Sequence, residues 1–229
     1  MASARVAVHA AEQLVSHKSE ASNPTGVFAL TRPPGHHAGK ELCGGYCYVN
    51  NVVVAARAIQ HTSPGTRVAI LDIDYHHGNG TQSLTYNDPS VLYVSLHAQG
   101  DYPYFTGSVA ERGSGDAVGT NVNIPLPMNT TGDEEYLIAL EQASDAIQSY
   151  KPAVLLVRLD RRPCIGKSLS LTALTVLGSI PTRKTPFVPS ISQHRHTHVS
   201  AREYRSSAYQ HCSYSKGEQV DQGCGVARC

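Results

Sequence analysis

Apolar residues recur along the first 160 positions in two rhythms. Val8, Ala11 and Val15 share one face of the segment from Arg5 to Val15, at helical spacing. Val27-Phe28-Ala29-Leu30 is a short apolar strand, and Arg32-Pro33-Pro34 ends it, because two prolines forbid helix and fix an extended turn. Asn50-Asn51 can cap a helix from Val52 to Gln60, whose Val/Ala-rich surface predicts burial on most sides. Arg67 to Ile73 is apolar enough throughout to be a central, parallel strand, and Val91 to Leu96 is another. Tyr136, Leu140, Ala143 and Ile147 mark a helix across Asp133 to Tyr150, and Ala153 to Leu159 is the last clear strand.

Strands alternating with helices predict an α/β fold, a mostly parallel sheet with helices on both faces. In such sheets ligands bind beyond the carboxyl ends of the strands. The segments Arg32 to His37 and Asp72 to His77, together with His97 and Asp160, all follow strand ends. The chemistry is therefore expected along one edge.

At 229 residues and 41% hydrophobic, the chain can bury the core of one globular domain. The net charge of +1 gives no footprint for direct nucleic-acid binding, but it hides a split. Residues 1–160 hold 9 Lys+Arg and 15 Asp+Glu, a formal −6, whereas residues 161–229 hold 10 and 3, a formal +7. Cys43 and Cys47 lie in the first part, Cys164, Cys212, Cys224 and Cys229 in the second. A domain boundary is expected near Asp160, followed by a basic, disordered tail in which Leu169 to Ile180 is the one apolar stretch. The start of the chain lacks the apolar core of a signal peptide, and no run reaches the ~20 apolar residues of a membrane span. No membrane contact is expected, and the location is expected to be nuclear or cytoplasmic.

Candidate chemistry lies in two histidine pairs. Asp74 and His76, two apart on extended backbone, point to one face ~7 Å apart and can converge on one ion. A mixed Asp/His set suits zinc, given a third protein ligand and an open water position. Asp72 shares that face and is placed to accept an imidazole N–H behind the ligands, whereas His77 points to the opposite side. His36 and His37, on the loop after the prolines, can supply the base for an attacking water and the acid for a departing amine near neutral pH.

Arg32 to Ala38, Gly45-Tyr46-Cys47-Tyr48-Val49-Asn50-Asn51, Leu71 to Gln82, Val94-Ser95-Leu96-His97 and Asn121-Val122-Asn123-Ile124-Pro125-Leu126-Pro127 occur in that order. Together they resemble the zinc-dependent histone deacetylase and acetylpolyamine amidohydrolase family over residues 1–160. Asn79-Gly80-Thr81-Gln82 and Tyr102-Pro103-Tyr104-Phe105-Thr106-Gly107 look more like its class II and acetylpolyamine branches. The resemblance implies an arginase-like fold and removal of acetyl groups from N-acetyl amines, either acetyl-lysine of histones and other proteins or acetylpolyamines. It implies zinc (Zn2+) on Asp74 and His76, His37 as general base, and His36 as its electrostatic partner oriented by Asp72. Asn79 stands beside His37 where class I enzymes have Asp. Gly45 and Tyr46 would line one wall of an acyl channel and Tyr102 the other. The carbonyls of Asp72, Asp74, His76 and Leu96, with Ser95, resemble a potassium (K+) site.

The chain departs from that family after Val157-Arg158-Leu159-Asp160, where the family has its third zinc ligand in Ser-Leu-Gly-x-Asp. Asp160 could be that ligand, displaced by two residues. The family's transition-state tyrosine has no counterpart in Gly223-Cys224-Gly225-Val226, and the segment before His36 is short for the family. A product truncated at both ends, its tail from a changed reading frame or a retained intron, is expected. Three further readings stand beside the deacetylase. One is a catalytically inactive relic or interaction protein that keeps part of the fold. The second, an arginase-like manganese hydrolase, is weakened by the His-His loop. The third is a phosphate site at Gly166-Lys167-Ser168, which lacks the upstream glycine of a P-loop.

Overall fold

The computed structural model describes residues 2–16, 26–161 and 171–178, with side chains described as far as Leu159. Their elements run α1 (Ala2–Ser16), β1 (Gly26–Thr31), α2 (Asn51–Thr62), β2 (Val68–Asp72), α3 (Asn79–Thr85), β3 (Val91–Ala98), β4 (Asn121–Leu126), α4 (Asp133–Tyr150), β5 (Val154–Arg161) and β6 (Leu171–Gly178). The strands form one sheet in the order β1-β6-β5-β2-β3-β4. β5, β2, β3 and β4 run parallel, and β6 is antiparallel to both β5 and β1.

The alternation of side chains along each strand builds two cores. Val68 and Ile70 of β2, Val91 and Tyr93 of β3, and Val154 and Leu156 of β5 face α1 and α2. Ala69, Leu71, Leu92, Val94, Leu155 and Val157 face α4 through Ala139, Ala143 and Ile147. Because both faces are covered, β2 is buried at every position, as its unbroken apolar run predicts. Asn50 caps α2, its side chain accepting the Val53 N–H at 3.2 Å.

Two strands lie where the pattern predicts none. β4 carries polar Asn121 and Asn123 at alternate positions, yet both are buried, because their amides donate to the Gln82 side-chain oxygen at 2.9 and 2.8 Å. β6 lies beyond the boundary expected at Asp160, within the apolar stretch Leu169 to Ile180, and pairs with β5 and β1. The remainder of residues 161–229, including the tail cysteines and Gly223 to Val226, lies outside the described residues, as does the Asp160 side chain. Among the described residues no helix is long and apolar enough to cross a membrane.

Leu156 is fully buried on the central strand β5. Leu156→Ala should lower unfolding stability by about 2–5 kcal/mol in urea titrations. A loss below about 1 kcal/mol would mean that this layer does not close-pack.

Candidate active site

Strand parity brings the site together. Asp72 ends β2 on the side of Val68 and Ile70, and Arg158 sits directly opposite it on β5, on the side of Val154 and Leu156. Tyr93 of β3 shares that side and reaches Asp72 Oδ2 with its hydroxyl, at 3.3 Å. The loop after β1 delivers His36 and His37 to this edge and is fastened there. Asn50 Nδ2 donates to the Ala38 carbonyl at 3.0 Å and to Thr81 Oγ1 at 3.1 Å, and the Thr81 N–H donates to the His36 carbonyl at 3.1 Å. Gly80 permits the approach, since a Cβ there would lie 2.4 Å from the Ala38 oxygen.

The two histidines are buried with ring centroids 3.9 Å apart, and each has its own partner. His37 Nδ1 lies 2.8 Å from Asn79 Oδ1. That oxygen only accepts, so Nδ1–H donates and Nε2 keeps a lone pair for a proton. Burial first, then the charge of His36, pushes the His37 pKa down to about 3, which keeps the ring neutral at neutral pH. His36 Nδ1 lies 3.0 Å from Asp72 Oδ2 and 2.9 Å from Arg158 Nη1. With a proton on Nδ1 it donates to Asp72, and without one it accepts from Arg158. It cannot do both.

Asp74 and His76 come together as the sequence predicts, but not as an open ligand pair. The His76 N–H donates to Asp74 Oδ1 at 2.7 Å, and His76 Nδ1 is 3.5 Å from the same oxygen. The other carboxylate oxygen, Oδ2, pairs with Arg158 Nη1 at 2.6 Å, and the same nitrogen is 3.3 Å from Asp72 Oδ1. Burial alone would raise both carboxyls, but the Arg158 guanidinium and the contacts to His36 and His76 outweigh it and hold both below the usual carboxylate range. Among the described residues no group of three His, Cys, Asp or Glu is arranged to hold a metal ion. These residues do not fit zinc: two donors converge, and one of them is already bound to a guanidinium.

Around His37 the expected walls are partly present. Gly45 has φ +52°, and a Cβ there would come within 2.2 Å of His37 Cδ2, so only glycine fits. Tyr102 packs edge-on against His37 with centroids 4.8 Å apart. Tyr46 follows Gly45 with φ 65°, and its side chain is 78% exposed, turned to solvent rather than onto His37. A cleft of about 740 Å³ reaches His37 and Asn79 and is bordered by Gly39, Lys40, Glu41, Leu42, Gly80 and Ser83. His77 points away from His76, as expected, to Thr106 Oγ1 at 2.8 Å and to the His97 ring at 4.7 Å. Ser95 Oγ is engaged by His97 Nδ1 at 2.9 Å, so its side chain bonds within the protein.

This sheet edge carries paired imidazoles backed by a carboxylate and an amide. A family model described as histone deacetylase domain matches residues 1–160, and the chain belongs to that family. It is 46% identical over 134 residues to acetylpolyamine amidohydrolase 1 of Pseudomonas aeruginosa, covering 58% of this chain and 38% of that protein. It is 44% identical over 139 residues to human histone deacetylase 7, covering 57% of this chain and 14% of that one. The crystal structure of the acetylpolyamine aminohydrolase from Burkholderia pseudomallei superposes with a TM-score of 0.60 at 35% identity, over 68% of this chain and 43% of that one. The arginase-like fold expected from the sequence motifs is thus present in part. The chain spans only about two-fifths of the length of the acetylpolyamine amidohydrolases it matches.

Sequence reasoning missed Arg158, Tyr93 and Gly78 as members of the site. Arg158 is a charge inside an apolar strand run, which was the available signal. Gly78 carries none, although a Cβ there would lie 2.7 Å from Asp72 Oδ2 and 3.0 Å from His36 Nδ1.

The buried imidazoles set the acid limb of stability. His77, like His37, is pushed down to about 3, by burial first and then by His97. Below their ordinary value of 6.5 the unfolded chain takes up protons that the folded chain refuses. Stability should therefore fall as pH drops from 6.5 towards 3, with a further loss as Asp72 and Asp74 protonate. Melting temperature against pH checks this, and His77→Gln should make the acid-side slope shallower. A melting temperature that climbs on acidification would contradict the assignment.

Proposed function

We propose that the protein is an amidohydrolase domain of the deacetylase family whose substrates are N-acetyl amines, either acetyl-lysine in histones and other proteins or acetylpolyamines. The observation that carries this reading is the adjacent pair of dyads, His36–Asp72 and His37–Asn79, beside the wall made by Gly45 and Tyr102. His37 Nε2 takes the proton of the attacking water, and His36, held by Asp72, stabilises the charge that results. The flat acetyl amide lies against the edge of Tyr102 and the bare backbone of Gly45. Kinship with acetylpolyamine amidohydrolases and histone deacetylases supports the substrate class. A nuclear or cytoplasmic location accords with such substrates.

Zinc is the metal that the sequence resemblance implies, but Asp74, one of the two residues that would hold it, is held by Arg158. That same ion pair favours a second reading, an inactive relic or interaction protein retaining part of the fold. The potassium assignment rests on motif resemblance alone. Residues 1–160, which match the family, form the functional unit.

Acetyl-lysine peptide and acetylpolyamine turnover should both be low. His37→Ala should lower any measured rate a further ~10²–10⁴-fold with little change in circular dichroism. Robust deacetylation that survives His37→Ala would refute the mechanism. No turnover of either substrate, in wild type or variant, would favour the inactive reading.

A further inference from the structure

Arg158 stands on the innermost face of the sheet with its side chain 3% exposed. One nitrogen, Nη1, is 2.6 Å from Asp74 Oδ2, 2.9 Å from His36 Nδ1 and 3.3 Å from Asp72 Oδ1. Register explains the aim: Arg158 is paired with Asp72 across the parallel β2–β5 ladder, so the two side chains leave the sheet side by side. The backbone is tied as well, because the Ile73 N–H donates to the Arg158 carbonyl at 3.0 Å, fixing the start of the Asp74–His76 turn against β5.

We propose that the Arg158 guanidinium is the resident cation of this site: it neutralises Asp72 and Asp74 in place of a metal ion, and a divalent cation reaches Asp74 and His76 only by displacing it. The chemistry favours this division. Two carboxylates buried a few ångströms apart require positive charge, and a guanidinium stays protonated at any pH at which the protein folds. Through Nη1 it engages one oxygen of each carboxylate, Asp74 Oδ2 and Asp72 Oδ1, and Asp74 Oδ2 is then no longer open to an ion. The contact with His36 Nδ1 adds a second consequence. While Nδ1 accepts from Arg158 the ring proton resides on Nε2, so His36 cannot at the same time donate from Nδ1 to Asp72. Arg158 therefore acts as a positioning residue that occupies Asp74 and competes with Asp72 for His36 Nδ1.

The test uses the full chain, with zinc chloride alone as probe, and reads metal content and melting temperature. The wild type should retain well under one zinc per chain at the His76 site after desalting. Its melting temperature should be the same with chelator and with zinc. Arg158→Ser should melt below the wild type in chelator, gain at least about tenfold in zinc affinity, and be raised towards the wild-type melting temperature by zinc. Adding His76→Ala to Arg158→Ser should erase the gain, which separates this site from adventitious binding to other cysteines and histidines. Zinc affinity equal in the wild type and a folded Arg158→Ser chain would overturn the proposal. So would a wild-type chain that keeps about one zinc and loses it on His76→Ala, a measurement that stands even if Arg158→Ser does not fold. Turnover enters neither arm, so failure here is distinct from failure of the deacetylase reading.

Discussion

Two carboxylates, Asp72 and Asp74, are buried at the end of one strand, and the rest of the sheet edge is arranged around their charge. Burial on this scale is tolerated only where each oxygen is paired, because leaving one partner of a buried ion pair alone costs about 3–5 kcal/mol. The pairing here is distributed. Arg158 reaches both acids, His36 and Tyr93 reach Asp72, and the His76 N–H reaches Asp74. The Asp74 N–H also donates to Asp72 Oδ1 at 3.2 Å, which folds the turn back on its own strand. Removing the guanidinium would leave two buried carboxylates without their shared counter-charge.

Such a cluster needs a rigid frame, and the frame is the two-sided sheet. Val68, Ile70, Val154 and Leu156 beneath the acids are nearly or fully buried, so Asp72 and Arg158 have no freedom to swing towards water. The His-His loop is regular nowhere, yet Asn50 ties it to the start of α2 and Thr81 ties it to α3. Glycines at 45, 78 and 80 allow backbone and ring to approach within distances that any side chain would forbid. The dyads are thus held by packing and not by any covalent link.

Much of this was legible in the chain. Four strands and three helices declared themselves because apolar runs and helical spacing were long enough to be unambiguous, and the paired histidines stood out by residue type. β4 and α3 did not. Their polar and glycine-rich residues Asn121, Asn123 and Gly80 are buried, and Asn79 is half-buried, against partners far along the chain, and local patterning holds no trace of such partners. Tyr46, placed on a channel wall by its motif, follows Gly45 with a positive φ and is largely exposed.

Arg158 marks where a motif and the structure containing it diverge. By motif, Asp74 and His76 are two ligands of an ion, and a ligand set is judged by what else can reach it. A strand that begins Val154-Leu155-Leu156-Val157 gives its next inward position to whatever residue follows, and here that residue is an arginine. Because the register fixes where that side chain emerges, its partners were determined once β5 paired with β2. The inward position beside Asp72 is filled by a buried guanidinium. An acid–base site and a metal site that overlap on Asp74 are therefore coupled through one side chain. Any change that frees the carboxylate must also alter the hydrogen bonds of His36.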